Sequence, residues 1–182
     1  MTSTLPTYRH RTYWALLAAV ALLQTGLLSK MVYDRQTLLR SGREIVLQVQ
    51  PVDPRDLFRG DYVILGYAIS PVSISPEANG APLDGIMRGA PVYVTLSPDA
   101  SGAWAVKQLS PAYPSSAAAS DIVLKGLVQH VWQGAKQGEK QYSIKYGIES
   151  YFVPEGTGRA LEASVREKKI QAVIAVATDG TA

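Results

Sequence analysis

The chain has 182 residues, 47% of them hydrophobic and 18% charged, a composition that excludes a disordered protein and allows one domain of ~100–150 residues beside an anchoring segment. Its formal net charge of +3 comes from three basic residues around an N-terminal apolar run, because 31–182 contain 15 basic and 15 acidic residues. A nucleic-acid-binding domain needs clustered basic charge, so this neutral domain predicts no nucleic-acid partner.

The first predicted element is a membrane helix. An apolar run begins at Tyr13 and reaches Tyr33 with Lys30 as its only charged residue, which is about the length that crosses a bilayer. A cleaved signal peptide is the alternative, but no small-residue cleavage site follows the run. We therefore expect a transmembrane anchor over 13–33 that lies in the lipid bilayer, preceded by a cytoplasmic tail over 1–12.

The charges beside this anchor do not agree with an exported domain. Four basic residues follow the apolar core and two precede it: Lys30, Arg35, Arg40 and Arg43 against Arg9 and Arg11. The positive-inside rule favours a cytoplasmic domain on this count, but long domains are translocated largely regardless of flanking charge. The count therefore opposes export without deciding it.

After a short amphipathic stalk over 34–42, period-two alternation of apolar residues predicts a series of strands. The strands expected in this half of the chain are 44–50, 62–69, 91–97 and 103–109. The second is apolar on both faces, which is typical of a central strand. The Pro-, Ser- and Gly-rich stretch 70–90 predicts a long loop, and the last two strands predict a hairpin within a meander.

The second half continues the β pattern and adds one helix. Strands are expected at 122–132, around 142–148 and at 170–177, with a helix of about ten residues beginning at Thr157 or Gly158. Tyr142 and Tyr146 share one face and predict an aromatic wall. Asp179-Gly180 is a hairpin-turn pair after which a further strand is expected. The predicted fold is α+β, mainly antiparallel β, with a compact β-rich domain over 43–182, one short C-terminal helix, and its last strand missing.

The octapeptide 60–67 reads Gly-Asp-Tyr-x-x-Leu-x-Tyr. All five named positions match the motif of the GDYXXLXY family, and the segment 146–158 followed by Leu161-Glu162 resembles the second block of that family. The resemblance spans essentially the whole chain. It implies an N-terminal anchor, a domain outside the bacterial cytoplasmic membrane and frequent company with polytopic membrane proteins, and it implies no established activity.

Both blocks have a structural and a functional interpretation. Their Pro, Gly and Asp residues suit a tightly braced turn, and Glu155 suits the cap of the following helix. Charged loops held on rigid strands are also common binding sites. The candidate interaction residues are Asp53, Pro54, Arg55, Asp56, Arg59, Gly60, Asp61, Tyr62, Leu65 and Tyr67 in the first block, and Tyr151, Phe152, Glu155, Gly156, Gly158 and Glu162 in the second.

The sequence offers little material for catalysis. With two His and no Cys, it predicts no metal site and no cofactor, and no nucleotide-binding or hydrolase motif is present. Three segments resemble type I signal peptidase and place Lys107 at the general base, but Val52-Asp53 stand where the nucleophilic serine is needed.

Three functions follow from these patterns. We expect a non-enzymatic, membrane-anchored accessory domain that binds a polytopic membrane protein. The first alternative is a degenerate signal-peptidase-like envelope hydrolase, or one that depends on Asp61 and Glu155. The second is a binder of an envelope polymer or small ligand through the aromatic wall and the 70–90 loop.

Overall fold

The computed structural model describes residues 8–51, 62–75, 79, 83, 85–100, 102–115, 117–134, 139–154, 157, 161, 163–165, 167 and 170–182. The chain forms two compact units, Met1–Ser41 and Gly42–Ala182.

The first unit contains one helix, α1 (Tyr8–Ser41), of 34 residues. It includes both the predicted anchor and nearly all of the predicted stalk, so the two belong to one continuous helix about 50 Å long. From Thr12 to Ser41 it is long and apolar enough to cross a membrane. Lys30 donates to the carboxylate of Asp34, one turn away, at 2.6 Å, which offsets the charge at the end of the apolar run.

The second unit contains two antiparallel sheets, of which the first has four strands in the order β8-β2-β1-β9. Their bounds are β1 (Arg43–Pro51), β2 (Tyr62–Tyr67), β8 (Ser150–Phe152) and β9 (Gln171–Val176). β2 lies between two neighbours, which confirms the predicted central strand. The short edge strand β8 was not predicted.

The second sheet has five strands in the order β3-β7-β6-β4-β5. Their bounds are β3 (Pro71–Ile74), β4 (Pro91–Pro98), β5 (Trp104–Ser110), β6 (Ile122–Gln133) and β7 (Lys140–Lys145). Bulges interrupt the registers of β4 with β5 and of β6 with β7. The predicted β4–β5 hairpin is confirmed.

Two predictions for this sheet were wrong. The strands do not form a simple meander, because β6 pairs with β4 rather than with β5. Three consecutive residues from Ile122 are buried, so both faces of β6 are covered there. The stretch 70–90 is not all loop, because it contains β3 with Val72 and Ile74 buried. Pro71 made this strand hard to predict, because proline is rare inside sheets. It is tolerated at the start of an edge strand, which is where it lies in β3.

One buried cluster joins the two sheets. Alternating residues of β1 and β4 supply its centre, together with side chains from the neighbouring strands. The residues from β1 and β4 are Ile45, Leu47, Val49, Val92, Val94 and Leu96. Tyr142 and Tyr146 also lie in this core, so the predicted aromatic wall consists of buried side chains. A ligand bound at that wall stays a prediction.

The C-terminal region connects the sheets. Leu161 and 163–165 have helical backbone, and Val165 is buried as predicted. Past β9, Gly180 has a φ of 86°, in the left-handed region that favours glycine. Its carbonyl accepts a hydrogen bond from the backbone N–H of Lys125 in β6 at 2.8 Å. The predicted Asp179-Gly180 turn therefore holds the end of the first sheet against the second.

Candidate functional site

The last six residues of the Gly-Asp-Tyr-x-x-Leu-x-Tyr motif form β2. Leu65 and Tyr67 point into the core with Val63, and all three are buried. Tyr62 begins the strand. The first two residues of the motif and the candidates before them lie outside the described residues: Asp53, Pro54, Arg55, Asp56, Arg59, Gly60 and Asp61. Leu65 and Tyr67 therefore belong to the part of the motif that builds the sheet.

The second block begins with a turn that one carboxylate braces. Glu149 accepts hydrogen bonds from the backbone N–H groups of Tyr146 at 2.6 Å and Gly147 at 2.9 Å. Gly147 has a φ of 88°, where a side chain is strained. This turn carries the chain from β7 in the second sheet to β8 in the first.

Three hydrogen bonds attach this turn to the motif. The hydroxyl of Tyr67 donates to the carbonyl of Ile148 at 2.9 Å, and the N–H of Leu65 donates to the carbonyl of Glu149 at 2.7 Å. The hydroxyl of Tyr146 donates to the carbonyl of Ile69 at 2.7 Å. One tyrosine from each block thus donates a hydrogen bond to the backbone of the other segment. These bonds hold the two segments together although about 80 residues separate them in the chain.

Strand pairing brings the blocks together again at their far ends. β8 pairs with β2 in the register Tyr62 to Phe152 and Val63 to Tyr151. Tyr151 is 55% exposed and Phe152 80% exposed, on the edge strand of the sheet. Because Tyr62 directly follows Asp61, these exposed aromatics lie beside the point where the charged segment 52–61 enters β2.

The end of the first sheet that carries Phe152 is remote from Arg43, the residue where β1 begins. Pro51 pairs with Leu65, and Tyr62 lies three residues further along β2. At ~3.3 Å per residue, Phe152 lies about 35 Å from Arg43 along the strand direction.

The other candidates of the second block lie outside the described residues: Glu155, Gly156, Gly158 and Glu162. Their predicted roles stay predictions.

The two bracing tyrosines predict a loss of stability at alkaline pH. Burial, together with the charge of Glu149, raises the pKa of Tyr67 to about 12 and that of Tyr146 still further above its ordinary value. Above pH ~10 the unfolded chain ionises these residues while the folded chain keeps them neutral. The free energy of unfolding should therefore fall from pH ~10 towards 12, by up to about 1.4 kcal/mol per pH unit for each tyrosine.

Urea unfolding at pH 8 to 11 measures this slope. The double variant Tyr67→Phe/Tyr146→Phe should show a flatter dependence above pH ~10, whereas Tyr113→Phe, at a half-exposed tyrosine, should keep the wild-type slope. Equal slopes in the double variant and the wild type would contradict the assignment.

Lys107, the candidate general base, lies in an ion pair. Its Nζ donates to the carboxylate of Asp121 at 2.8 Å, and the Asp121 side chain is almost fully buried. The hydrogen bond from Lys107 holds the pKa of Asp121 below its usual value. A serine–lysine dyad needs a neutral lysine beside a hydroxyl, whereas a carboxylate stabilises the charged form. The contacts of Lys107 thus support a structural role.

Arg43 organises the loop that carries Asp121. Its guanidinium donates to the carbonyls of Ala119 at 2.9 Å and of Ser120 and Asp121 at 3.3 Å, and it lies 6.0 Å from the ring centroid of Trp104. Among the described residues, no group of three or more His, Asp or Glu side chains is arranged to hold a metal.

Sequence reasoning missed Glu149 and the reciprocal tyrosine bonds. The aromatic and capping residues of the block 146–158 predict a binding or capping role, and nothing in that pattern indicates Glu149. In the sequence Tyr-Gly-x-Glu only the glycine is a local signal, because glycine favours turns that need a positive φ. The partners of Tyr67 and Tyr146 had no such signal, since they lie 81 and 77 residues away, respectively.

Comparison with known proteins agrees with the motif. The profile of the family described as "GDYXXLXY protein" matches residues 24–182, which include the end of the apolar run and the whole β-rich unit. No curated protein and no solved structure matches the chain. Both the octapeptide in β2 and the block that docks on it lie within the matched region, and the chain belongs to the GDYXXLXY family.

Proposed function

We propose that this protein is a membrane-anchored accessory protein whose β-rich domain binds a polytopic membrane protein. The observation that carries the proposal is the pair Tyr151 and Phe152, exposed on the edge strand β8, which pairs with the motif strand β2. Aromatic residues and arginine supply most of the binding energy at protein interfaces.

The proposal includes a location. We place α1 across the bacterial cytoplasmic membrane as an uncleaved signal-anchor, with the domain in the periplasm. The family resemblance supports this side of the membrane, whereas the basic residues after the anchor oppose it. An alkaline phosphatase fused to the C-terminus, which is active only outside the cytoplasm, tests this. Active fusions support the periplasmic location, and inactive fusions that are stably expressed reverse it.

Site-specific photo-cross-linking in cells tests the binding surface. A photoreactive amino acid at Phe152 should cross-link to a polytopic membrane protein, identified by mass spectrometry. The matched control is Val173, which is 64% exposed and lies on β9, the opposite edge strand of the same sheet. Equal cross-linking from both positions, or cross-links from Phe152 to lipid only, would contradict the proposal.

The variant Phe152→Ala should weaken this association without unfolding the domain. Truncating an aromatic at the centre of an interface costs about 2 kcal/mol or more, a factor of about 30 in affinity. An exposed side chain contributes within about 0.5 kcal/mol to folding. Co-purification of the cross-linked partner with Phe152→Ala and with Val173→Ala compares the two edges, and an unchanged yield for Phe152→Ala would exclude this site.

A further inference from the structure

A pocket lies beside β1 of the first sheet, next to the residues that directly follow the motif. In this region Gln48 of β1 stands opposite Gln171 of β9, and Val46 stands opposite Val173. Leu47, Ala68 and Ile69, together with 102–104 at the start of β5, complete an open pocket of about 560 Å³. Small-molecule sites usually enclose ~300–1,000 Å³, so this volume suffices for a small ligand.

One wall of the pocket is held in place by its own hydrogen bonds. In the β4–β5 hairpin, the backbone of Asp99 exchanges bonds with Gly102 and Ala103, and its carboxylate accepts from the N–H of Ala103 at 3.0 Å. Trp104 follows directly, with the guanidinium of Arg43 over its ring. The hairpin wall is therefore fixed before any ligand arrives, which lowers the entropic cost of binding.

The lining is neutral but rich in hydrogen-bonding groups. Among the described residues that line the pocket, none carries an ionisable side chain. A charged ligand would lose hydration there without a partner of opposite charge. The amides of Gln48 and Gln171 each offer donors and an acceptor, and Val46, Ala68 and Ala103 supply apolar surface. A ligand that fits is uncharged, has groups that both donate and accept hydrogen bonds, and has one apolar face.

We propose that this pocket binds a neutral saccharide unit, whose hydroxyls meet the two glutamine amides and whose C–H face meets the apolar residues. The choice of a saccharide rests on the proposed location of the domain outside the membrane, where envelope glycans are available. The site is separate from the Phe152 edge, because β1 and β2 lie between β9 and β8.

Tryptophan fluorescence of the full chain in detergent micelles tests the proposal. Replacing Trp14 and Trp132, both exposed, with Phe leaves Trp104 as the only tryptophan. The probes are maltotriose and a β-1,4-linked N-acetylglucosamine trisaccharide. A saturable change with either supports the site. No saturable change with either overturns it, as does equally tight binding of a trigalacturonic acid, because the lining offers no counter-charge.

Variants then assign the binding to this pocket. Gln48→Ala and Gln171→Ala should each raise Kd about 2- to 10-fold, as expected for one lost hydrogen bond. Gln133→Ala, an exposed glutamine on β6, is the matched control and should bind as tightly as the parent. Equal affinities for Gln48→Ala and Gln133→Ala would refute the assignment.

The test of saccharide binding and the test of the proposed partner binding give independent results. Photo-cross-linking from Phe152 in the Gln48→Ala background measures partner binding, and it should be unchanged while saccharide affinity falls. A loss of both activities in Gln48→Ala would contradict the separation of the two sites. The saccharide titration with purified protein does not depend on whether a protein partner exists.

Discussion

Asn79→Leu should lower the free energy of unfolding by about 2–5 kcal/mol. Asn79 is the only asparagine of the chain, and it is 3% exposed. Its amide NH₂ donates to the carbonyl of Leu109 at 2.8 Å, and its amide oxygen accepts from the N–H of Leu109 at 2.8 Å. The side chain thus pairs with β5 as a neighbouring strand would. Leucine leaves two buried backbone groups without partners, at about 1–3 kcal/mol each.

Urea unfolding followed by tryptophan fluorescence measures this loss, since Trp104 lies on β5. Gln133→Leu is the matched control, because it makes the same change from amide to alkyl side chain at an exposed position. We expect that control to stay within about 0.5 kcal/mol of the wild type. If the Asn79 and Gln133 variants unfold at the same urea concentration, Asn79 does not support the edge of the sheet.

Gly126→Ala should destabilise the domain by about 1–3 kcal/mol through overpacking. A Cβ on Gly126 would lie 2.5 Å from Cγ2 of Ile144, 3.1 Å from the carbonyl of Lys145 and 3.2 Å from Cδ1 of Tyr146. Ile144 and Tyr146 are buried, and Lys145 is held in β7 by its pairing with β6. No neighbour can move away without disturbing the core.

A double-mutant cycle checks that this contact is the cause. Ile144→Ala removes the nearest carbon, so adding Gly126→Ala in that background should cost less than it does in the wild type. Thermal or urea unfolding of the four proteins gives the coupling energy. Strictly additive losses would show that Gly126 acts through some other contact. Because Tyr146 begins the turn that docks on the motif, the same strain should reach the candidate site.

The hydrogen bonds around β2 favour a structural role for half of the motif. Leu65 fills the core, and Tyr67 holds the second block through Ile148. Gly60 and Asp61 precede this braced strand in the sequence, and Tyr62, which follows them, pairs with Phe152. A charged segment next to a rigid strand suits a binding site, so a structural role for Leu65 and Tyr67 is compatible with a binding role for the residues before them.

Local patterns in the sequence were sufficient for α1, β1, β2 and β4. An apolar run of about 20 residues with one charge is long enough to cross a bilayer as a helix, and period-two alternation in β1 and β4 decides which residues are buried. The Asp179-Gly180 turn was also local, because it depends on the left-handed φ that glycine permits. Each of these features depends on residues within a few positions of one another.

The tertiary structure alone decided the strand order and the candidate site. The position of β6 beside β4, the pairing of Asn79 with Leu109 and the bonds of Tyr67 and Tyr146 all join residues 26 or more positions apart. A single sequence contains no periodic signal for such contacts, because edge pairing depends on which chain segment arrives at each edge. The sequence by itself therefore determined an apolar helix long enough to cross a membrane, a β-rich domain and a family motif, whereas only the folded sheet placed Phe152 beside Tyr62 of that motif.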